Sequence, residues 1–353
     1  MTSEAAIQAL AADAQAQGAS DVHLDLDVDA VRVRLRVDGR LRHWVPARLE
    51  PDRLRAAAWD VAGSGTDRLG EWQVASHVDG GRLALRLRAR RPAALAEGLS
   101  ALGMAPAQAR MLVRATERPG GLIVVAGPAG SGRRTTIAAL LGGDARTHSV
   151  VAVDLALTGA LTIAGPSAQA AIERALSLDP DTLILGELTD RGAAALAFQI
   201  AASGRRVIAR IEAPDAIAAF ERLRALKVER LALAAQLRVV TAQRLAERLC
   251  HACRRPVQAS NRVAALLGFD PGAVIHESTG CGECGGQGTA GAIGVFEALV
   301  LDPAVARLVN DGADAALLAR HAFLNAPRLD SAARSMAREG LIDVAEAVRL
   351  SRG

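Results

Sequence analysis

Between Leu122 and Leu141 the chain reads Leu-Ile-Val-Val-Ala, then Gly127-Pro128-Ala129-Gly130-Ser131-Gly132-Arg133-Arg134-Thr135-Thr136, then Ile-Ala-Ala-Leu-Leu. An apolar β-branched run, a glycine-rich turn and a helix-forming segment are the setting of a phosphate-binding loop. That setting predicts an α/β fold, with backbone amides converging on an anion at the positive end of a helix. Gly127 and Gly132 stand where G-x-x-x-x-G-K-[ST] requires its glycines. The two residues that follow break the pattern. Arg133 occupies the lysine position and Arg134 the Ser/Thr position.

These two changes differ in weight. A guanidinium can contact phosphate, but its planar fork is larger than an ammonium and prefers bidentate geometry. The loop, Gly127 through Thr136, therefore stays a candidate site for ATP or ADP. Arg134 is the more serious change, because the usual hydroxyl coordinates Mg2+ whereas a guanidinium has no lone pair and repels a cation. Mg2+-dependent chemistry is disfavoured on this reading. Thr135 is offset from the metal position by one residue, roughly 100° around a helix, and takes over only if the loop re-forms. A ligand-free glycine turn between strand and helix is the plain structural alternative.

Downstream, Leu178-Asp179-Pro180-Asp181 feeds the apolar run Thr182-Leu183-Ile184-Leu185-Gly186 and ends at Glu187. In a P-loop fold an acid at that strand end faces the metal and its water, which makes Glu187 the leading catalytic candidate. The only four cysteines form two C-x-x-C pairs, Cys250/Cys253 and Cys281/Cys284, flanked by Gly280, Gly282, Gly285 and Gly286. Two such knuckles form the tetrahedral thiolate cage preferred by structural zinc. The alternatives are disulfides or idle thiols. His251 lies inside a knuckle, but four thiolates already fill the site.

Ahead of the loop the pattern changes. Residues 1–18 read as an amphipathic helix, and 21–42 alternate apolar and polar with a turn at Asp38-Gly39. Period two predicts half-buried strands in a hairpin. A helix near 51–62 and a strand at 83–88 complete a small α+β domain, and Arg90-Arg91-Pro92 is the expected linker. At 353 residues, half of them apolar, two domains can each bury a core. Lys and Arg number 42 against 38 acids and are dispersed, which argues against nucleic acid as a partner. No apolar run reaches the roughly 18 residues that span a bilayer. Met-Thr-Ser-Glu-Ala-Ala-Ile lacks a basic segment followed by an apolar one, so no signal peptide is expected. The expectation is a cytoplasmic protein that meets the membrane only through a partner.

Taken in order, these features resemble the secretion ATPases of type II secretion and type IV pilus assembly. Ala19-Ser20-Asp21-Val22-His23 and Arg36-Val37-Asp38-Gly39 resemble the opening of that family's regulatory domain. Gly127–Thr136 resembles its Walker A motif and Asp179 through Glu187 its Walker B. Gln243-Arg244-Leu245, the four cysteines and Gly294-Val295-Phe296-Glu297 resemble its tetracysteine region. The resemblance implies a regulatory domain at 1–95 and a RecA-like P-loop domain at 96–353 that includes a zinc subdomain at 244–298. It also implies a hexamer, formed with itself or with other secretion ATPase subunits, and an inner-membrane platform protein whose cytoplasmic part is the partner. The further N-terminal docking domain of many members is expected to be missing. Compact length resembles the retraction-type motors, while the cysteines favour the assembly and secretion branch.

The departures from the family pattern gather at the chemistry. The acidic motif appears as Asp154-Leu155-Ala156, with Asp154 shorter than the usual glutamate. The histidine motif reads Gly204-Arg205, followed by Ile211-Glu212-Ala213-Pro214, so neither histidine remains. One regulatory-domain arginine that approaches phosphate is replaced by Gln73, while Arg86 matches a second. Several joint losses of this kind predict weak or absent hydrolysis, with Arg133, Arg134 and Arg205 left to hold a nucleotide without Mg2+ or an acidic side chain. The leading reading is thus a catalytically impaired structural or regulatory subunit. A slow, working ATPase using Thr135 and Glu187 is the second reading, and a nucleotide-independent interaction module using residues 303–353 is the third.

Overall fold

The computed structural model describes residues 2–27, 30–37, 40–46, 50–66, 68–70, 72–89, 98–142, 148–153, 155, 157, 160–163, 167–324 and 326–351, excepting the side chains at 40, 68, 73, 89 and 168. Asp38-Gly39, the Arg90-Arg91-Pro92 linker, Asp154, Ala156 and the Gln73 side chain lie outside this set. The chain divides into compact units at residues 1–92 and 93–353.

The first unit runs α1 (Ser3–Ala16), β1 (Asp21–Leu26), β2 (Val31–Val37), β3 (Arg40–His43), α2 (Pro51–Gly63), β4 (Arg68–Leu69), β5 (Trp72–Asp79) and β6 (Arg82–Ala89). Among the described residues its strands form one sheet in the order β3-β2-β1-β6-β5-β4. Alternation decides the faces: Val22, Leu24, Val33, Leu35, Leu85 and Leu87 are buried beside Ile7 and Leu10 of α1 and Leu54 of α2. The intervening positions carry Arg34, Arg36, Arg86 and Arg88. Asp21 is buried on that polar side and accepts from Arg86 Nη2 at 2.7 Å, Arg88 Nε at 2.9 Å and Ser20 Oγ at 2.9 Å. Burial works against its charge, but these donors outweigh it and hold the carboxyl below its ordinary value.

The second unit opens with a 3-10 turn (Leu99–Leu102) and α3 (Pro106–Glu117), then β7 (Gly121–Ala126), α4 (Arg133–Leu141), β8 (Val150–Val153), β9 (Leu161–Ile163) and α5 (Ala168–Leu176). There follow β10 (Thr182–Glu187), α6 (Arg191–Ala202), β11 (Arg206–Ile211), α7 (Ala216–Ala225), α8 (Arg230–Gln236) and β12 (Leu237–Leu249). Next come β13 (Arg254–Gln258), α9 (Asn261–Leu267), β14 (Val274–Ser278) and β15 (Thr289–Val300), and the chain closes with α10 (Pro303–Asn310), α11 (Ala315–Ala322), α12 (Leu329–Arg338) and α13 (Val344–Ser351). Its main sheet has the order β15-β12-β7-β11-β10-β8-β9, parallel throughout except for the β12/β15 pair. β7 is buried along its whole length because helices cover both faces. Leu122 and Val124 join the core that includes Phe198 of α6 and Phe220 of α7. Ile123 and Val125 join the one that includes Leu112 of α3 and Ile137 of α4.

Two features extend this three-layer plan. β12 and β15 run on together beyond the parallel strands, and α12 and α13 pack against that extension through Ala246, Ile293, Val295, Met336 and Leu350. Glu297, buried on β15, accepts from the backbone N–H of Ala216 at 2.6 Å and of Leu329 at 2.9 Å. It thereby joins the first turns of α7 and α12, satisfying one otherwise orphaned amide on each. Burial raises its pKa against the effect of those two amides. No helix among the described residues is long and apolar enough to cross a membrane.

Candidate nucleotide site and cysteine cluster

The glycine loop joins β7 to α4 at the carboxyl end of the parallel strands, where α/β folds place their ligands. Gly127 has φ 150°, and a Cβ there would fall on Ser131 Oγ and the carbonyl of Gln243, so only glycine fits. The loop is braced from inside by Ser131 N–H to the Pro128 carbonyl at 3.2 Å and Thr136 N–H to the Gly132 carbonyl at 3.2 Å. From outside, Gln243 Nε2 donates to the Ser131 carbonyl at 2.6 Å. Around this frame Ser131 Oγ, Thr136 Oγ1 and Gln243 Oε1 are buried without a hydrogen-bond partner among the described residues. Orphaned hydroxyls beside converging amides fit an anion's oxygens.

Arg133 is turned inward and is only 9% exposed. Its Nη1 donates to Glu187 Oε1 at 2.7 Å, so the residue at the lysine position and the acid ending β10 form an ion pair. Arg134 is exposed, Thr135 half-buried and Thr136 buried, which shows how sharply one helical step changes the environment. Arg210, beside Glu187 in the β10/β11 register, is a third guanidinium at the site. Burial lowers its pKa, the charge of Glu187 opposes that shift, and Arg133 and Arg134 add to it. Its Nε is buried without a partner.

Arg205 requires a correction. Grouped with Arg133 and Arg134 in the sequence reading, it instead precedes β11, at the amino end of the strands. Six strand residues, about 20 Å, separate that edge from the glycine loop. There Arg205 Nη2 donates to Asp179 Oδ1 at 2.9 Å. Adjacency of motifs in the sequence gives no strand direction, and the parallel register of β7 and β11 decides the matter. Asp154 falls outside the described residues. Arg86 lies in the first unit, engaged with Asp21. The sequence reading missed the roles of Arg210 and Gln243. In the sequence Gln243 stands only as part of the Gln-Arg-Leu motif, and Arg210 carries a usable signal as an arginine inside a buried strand, just before the replaced histidine motif.

The four cysteine sulfurs lie together past the ends of β12 and β14. Sγ separations are 3.8 Å for Cys250/Cys281, 3.9 Å for Cys253/Cys284 and 3.8 Å for Cys281/Cys284. A zinc–sulfur bond of about 2.3 Å makes the edge of a tetrahedron about 3.8 Å, so the cluster has the dimensions of a zinc cage. The backbone N–H of Cys281 lowers the Cys284 thiol to about 6, with Gly288 N–H in support. Those amides, 3.2 Å from Sγ, stabilise a thiolate. His251 turns to Glu283, Nδ1 to Oε2 3.9 Å, at the exposed rim.

Residues 73–349 match the family model described as type II/IV secretion system protein. The chain belongs to this family. Among relatives, it is similar to type II secretion system protein E of Pseudomonas aeruginosa, with 31% identity over 98% of this chain and 75% of the relative. The type II secretion system ATPase E of Vibrio cholerae is 28% identical over the same shares, and the type IV pilus assembly ATPase PilB of Acinetobacter baylyi 29% over 65% of this chain and 42% of its own. The fold is similar to that of the pilus retraction motor PilT bound to ADP, with a TM-score of 0.68 at 19% identity over 98% of this chain and 96% of that one. The ATPase DotB of Legionella pneumophila gives 0.68 at 15% identity, over 98% and 95%. As a member of the secretion ATPase family, this chain has its RecA-like α/β fold together with a four-cysteine cluster.

Proposed function

We propose that this protein is a catalytically impaired secretion ATPase that serves a type II secretion or type IV pilus assembly machine as a structural or regulatory subunit. The reading rests above all on the 2.7 Å ion pair between Arg133 and Glu187. Phosphoryl transfer in P-loop enzymes depends on positioned charges, a metal ligand and a group that orients water. Here the acid that should face the metal is engaged by the residue that should face the phosphates. Arg134 stands at the hydroxyl position with no lone pair to offer a metal. Arg210 adds a further positive charge, so the cations around the loop are the protein's own.

On this reading the loop from Gly127 to Thr136 holds ATP or ADP without needing Mg2+. Amides of the glycine turn and the hydroxyls of Ser131 and Thr136 meet phosphate oxygens, and Arg133 either stays on Glu187 or swings to the ligand. Arg86 of a neighbouring subunit is a further phosphate contact. The cysteine cluster holds a structural zinc. The protein joins a ring with itself or with active paralogues, and meets the cytoplasmic part of an inner-membrane platform protein.

Calorimetry with ATP and ADP, with and without Mg2+, beside a phosphate-release assay on the same sample, tests this. Binding indifferent to Mg2+ and without release is the expected result. Mg2+-dependent release that disappears in Glu187→Gln overturns it in favour of a slow ATPase. No nucleotide binding at all leaves an interaction module.

A further inference from the structure

At the end of the sheet opposite the glycine loop, a cleft of about 410 Å3 lies between α3 and the strand ends. Its wall carries Arg110, Arg114 and Arg118, one residue per helical turn along α3 and just past it, and Arg238 at the start of β12 faces them. Met111 and Leu301 supply apolar floor. Among the described residues the only acid lining the cleft, Asp302, already accepts from the first amides of α10, Ala304 at 2.9 Å and Val305 at 2.8 Å. Among the described residues none of the four arginines forms an ion pair.

Arg238 is set into the backbone here. Gly121, at φ 92°, opens β7, and a Cβ on it would strike the Arg238 stem, so the absence of a side chain makes the notch in which that stem lies. Arg238 Nη1 reaches the Ala235 carbonyl at 3.1 Å, while its Nε is buried without a partner. Burial and the charge of Arg118 both press its pKa downward. Arg238 is half-buried beside a like charge, and the cleft's own carboxylate, Asp302, is taken up by helix amides, so an anion would supply the missing partner. Three guanidiniums at four-residue intervals cover about 12 Å, the span of an extended polyanion rather than of one carboxylate. Arginine's fork pairs two-to-two with phosphate oxygens.

We propose that the cleft between α3 and the β12 and β15 strand ends is a second anion site, for a phosphate-bearing ligand held by Arg110, Arg114, Arg118 and Arg238. It is separated from the glycine loop by the length of β7, about 20 Å, and does not depend on what that loop binds. The ligand's source is a soluble polyphosphate group or the headgroup of an anionic lipid.

The test is calorimetric titration of the full chain with inorganic pyrophosphate, beside co-flotation with phosphatidylglycerol vesicles. Wild type is compared with R114Q/R118Q, both at exposed positions, with R114Q/R118Q/R238Q, and with R133A to account for the glycine loop. Each lost guanidinium should weaken binding about tenfold. Pyrophosphate binding that survives R133A and falls in R114Q/R118Q supports the site with a soluble ligand. Flotation lost in R114Q/R118Q without pyrophosphate binding supports it with a headgroup. Pyrophosphate binding and flotation both unchanged in R114Q/R118Q overturn the proposal, as does binding of poly-glutamate alone.

Discussion

The glycine loop and the cysteine knuckles are both tight, glycine-rich turns at the end of a β-strand, and they stand to their consensus motifs in opposite ways. In the loop the frame persists while the reactive side chains differ: Gly127 still fits against Ser131 and Gln243, but Arg133 and Arg134 replace the lysine and the hydroxyl. In the knuckles frame and reactive atoms persist together, with four sulfurs about a tetrahedral edge apart. A metal cage tolerates no half-measure, because each thiolate supplies one bond of four. A phosphate cradle is built mainly from backbone, so it outlasts the side chains that perform chemistry on what it holds.

The largest effect that would break this comparison lies at the cysteines. The protein should carry one zinc per chain, and Cys284→Ser should lose it; structural zinc contributes on the order of 10 kcal/mol of binding free energy. Elemental analysis and chelator-induced unfolding of the 250–288 region check this. Full metal content in Cys284→Ser would mean that the cluster is not a cage.

Next in size is the restoring double variant Arg133→Lys with Arg134→Thr. It frees Glu187 and returns a hydroxyl to the metal position, and should raise Mg2+-dependent phosphate release by at least about tenfold. No gain would count against the proposal that Arg133 and Arg134 limit hydrolysis, with Asp154 and Arg205 as the next positions to exchange.

Glu297 belongs to neither region and calibrates both. Glu297→Gln turns one of two acceptor oxygens into a donor facing an amide, which should cost about 2–3 kcal/mol in denaturant titration. Because burial raises the pKa of Glu297 above the ordinary 4.5, its contribution is fully present below that value and fades as pH rises through the folded pKa. The variant should lack this slope. Asp21 acts with the opposite sign: its lowered pKa makes a contribution present above 3.8 and lost as acid protonates it.

The smallest expected effect is that of Arg205→Ala on nucleotide affinity, less than about twofold, since no charge at the far edge of the sheet reaches the loop through solvent at ordinary salt. A larger change would return Arg205 to the site.

Much of this architecture was legible in the chain itself. The apolar run before Gly127 marked β7 because a strand covered on both faces has no polar positions. Alternation between Val31 and Val37 assigned one face of the first unit's sheet, and two C-x-x-C pairs assigned the cluster. The site's electrostatics were not legible. That Arg133 lies against Glu187, that Arg210 joins them and that Arg205 does not all depend on strand order, which brings β11 between β7 and β10. Spacing along a sequence carries no information about which strand is inserted between two others. The cationic cleft is not legible in the chain for a similar reason: Arg118 and Arg238 are 120 residues apart and meet only in the fold.

β12 touches both regions compared above. It supplies Gln243, whose amide holds the Ser131 carbonyl, and ends one residue before Cys250. The first part of the interval between them, as far as Glu247, is fixed in length by its register with β15. Successive strand residues point to opposite faces, so one residue inserted after Gln243 would turn the strand over as far as Glu247, taking Ala246 away from the core under α12. Side chains of the glycine loop can be exchanged within a frame that is made largely of backbone. The pairing with β15 shifts only between Glu247 and Leu249, so that irregularity is the place in the stretch where a change of length can be taken up, and the residues from Gln243 to Glu247 are held to their count.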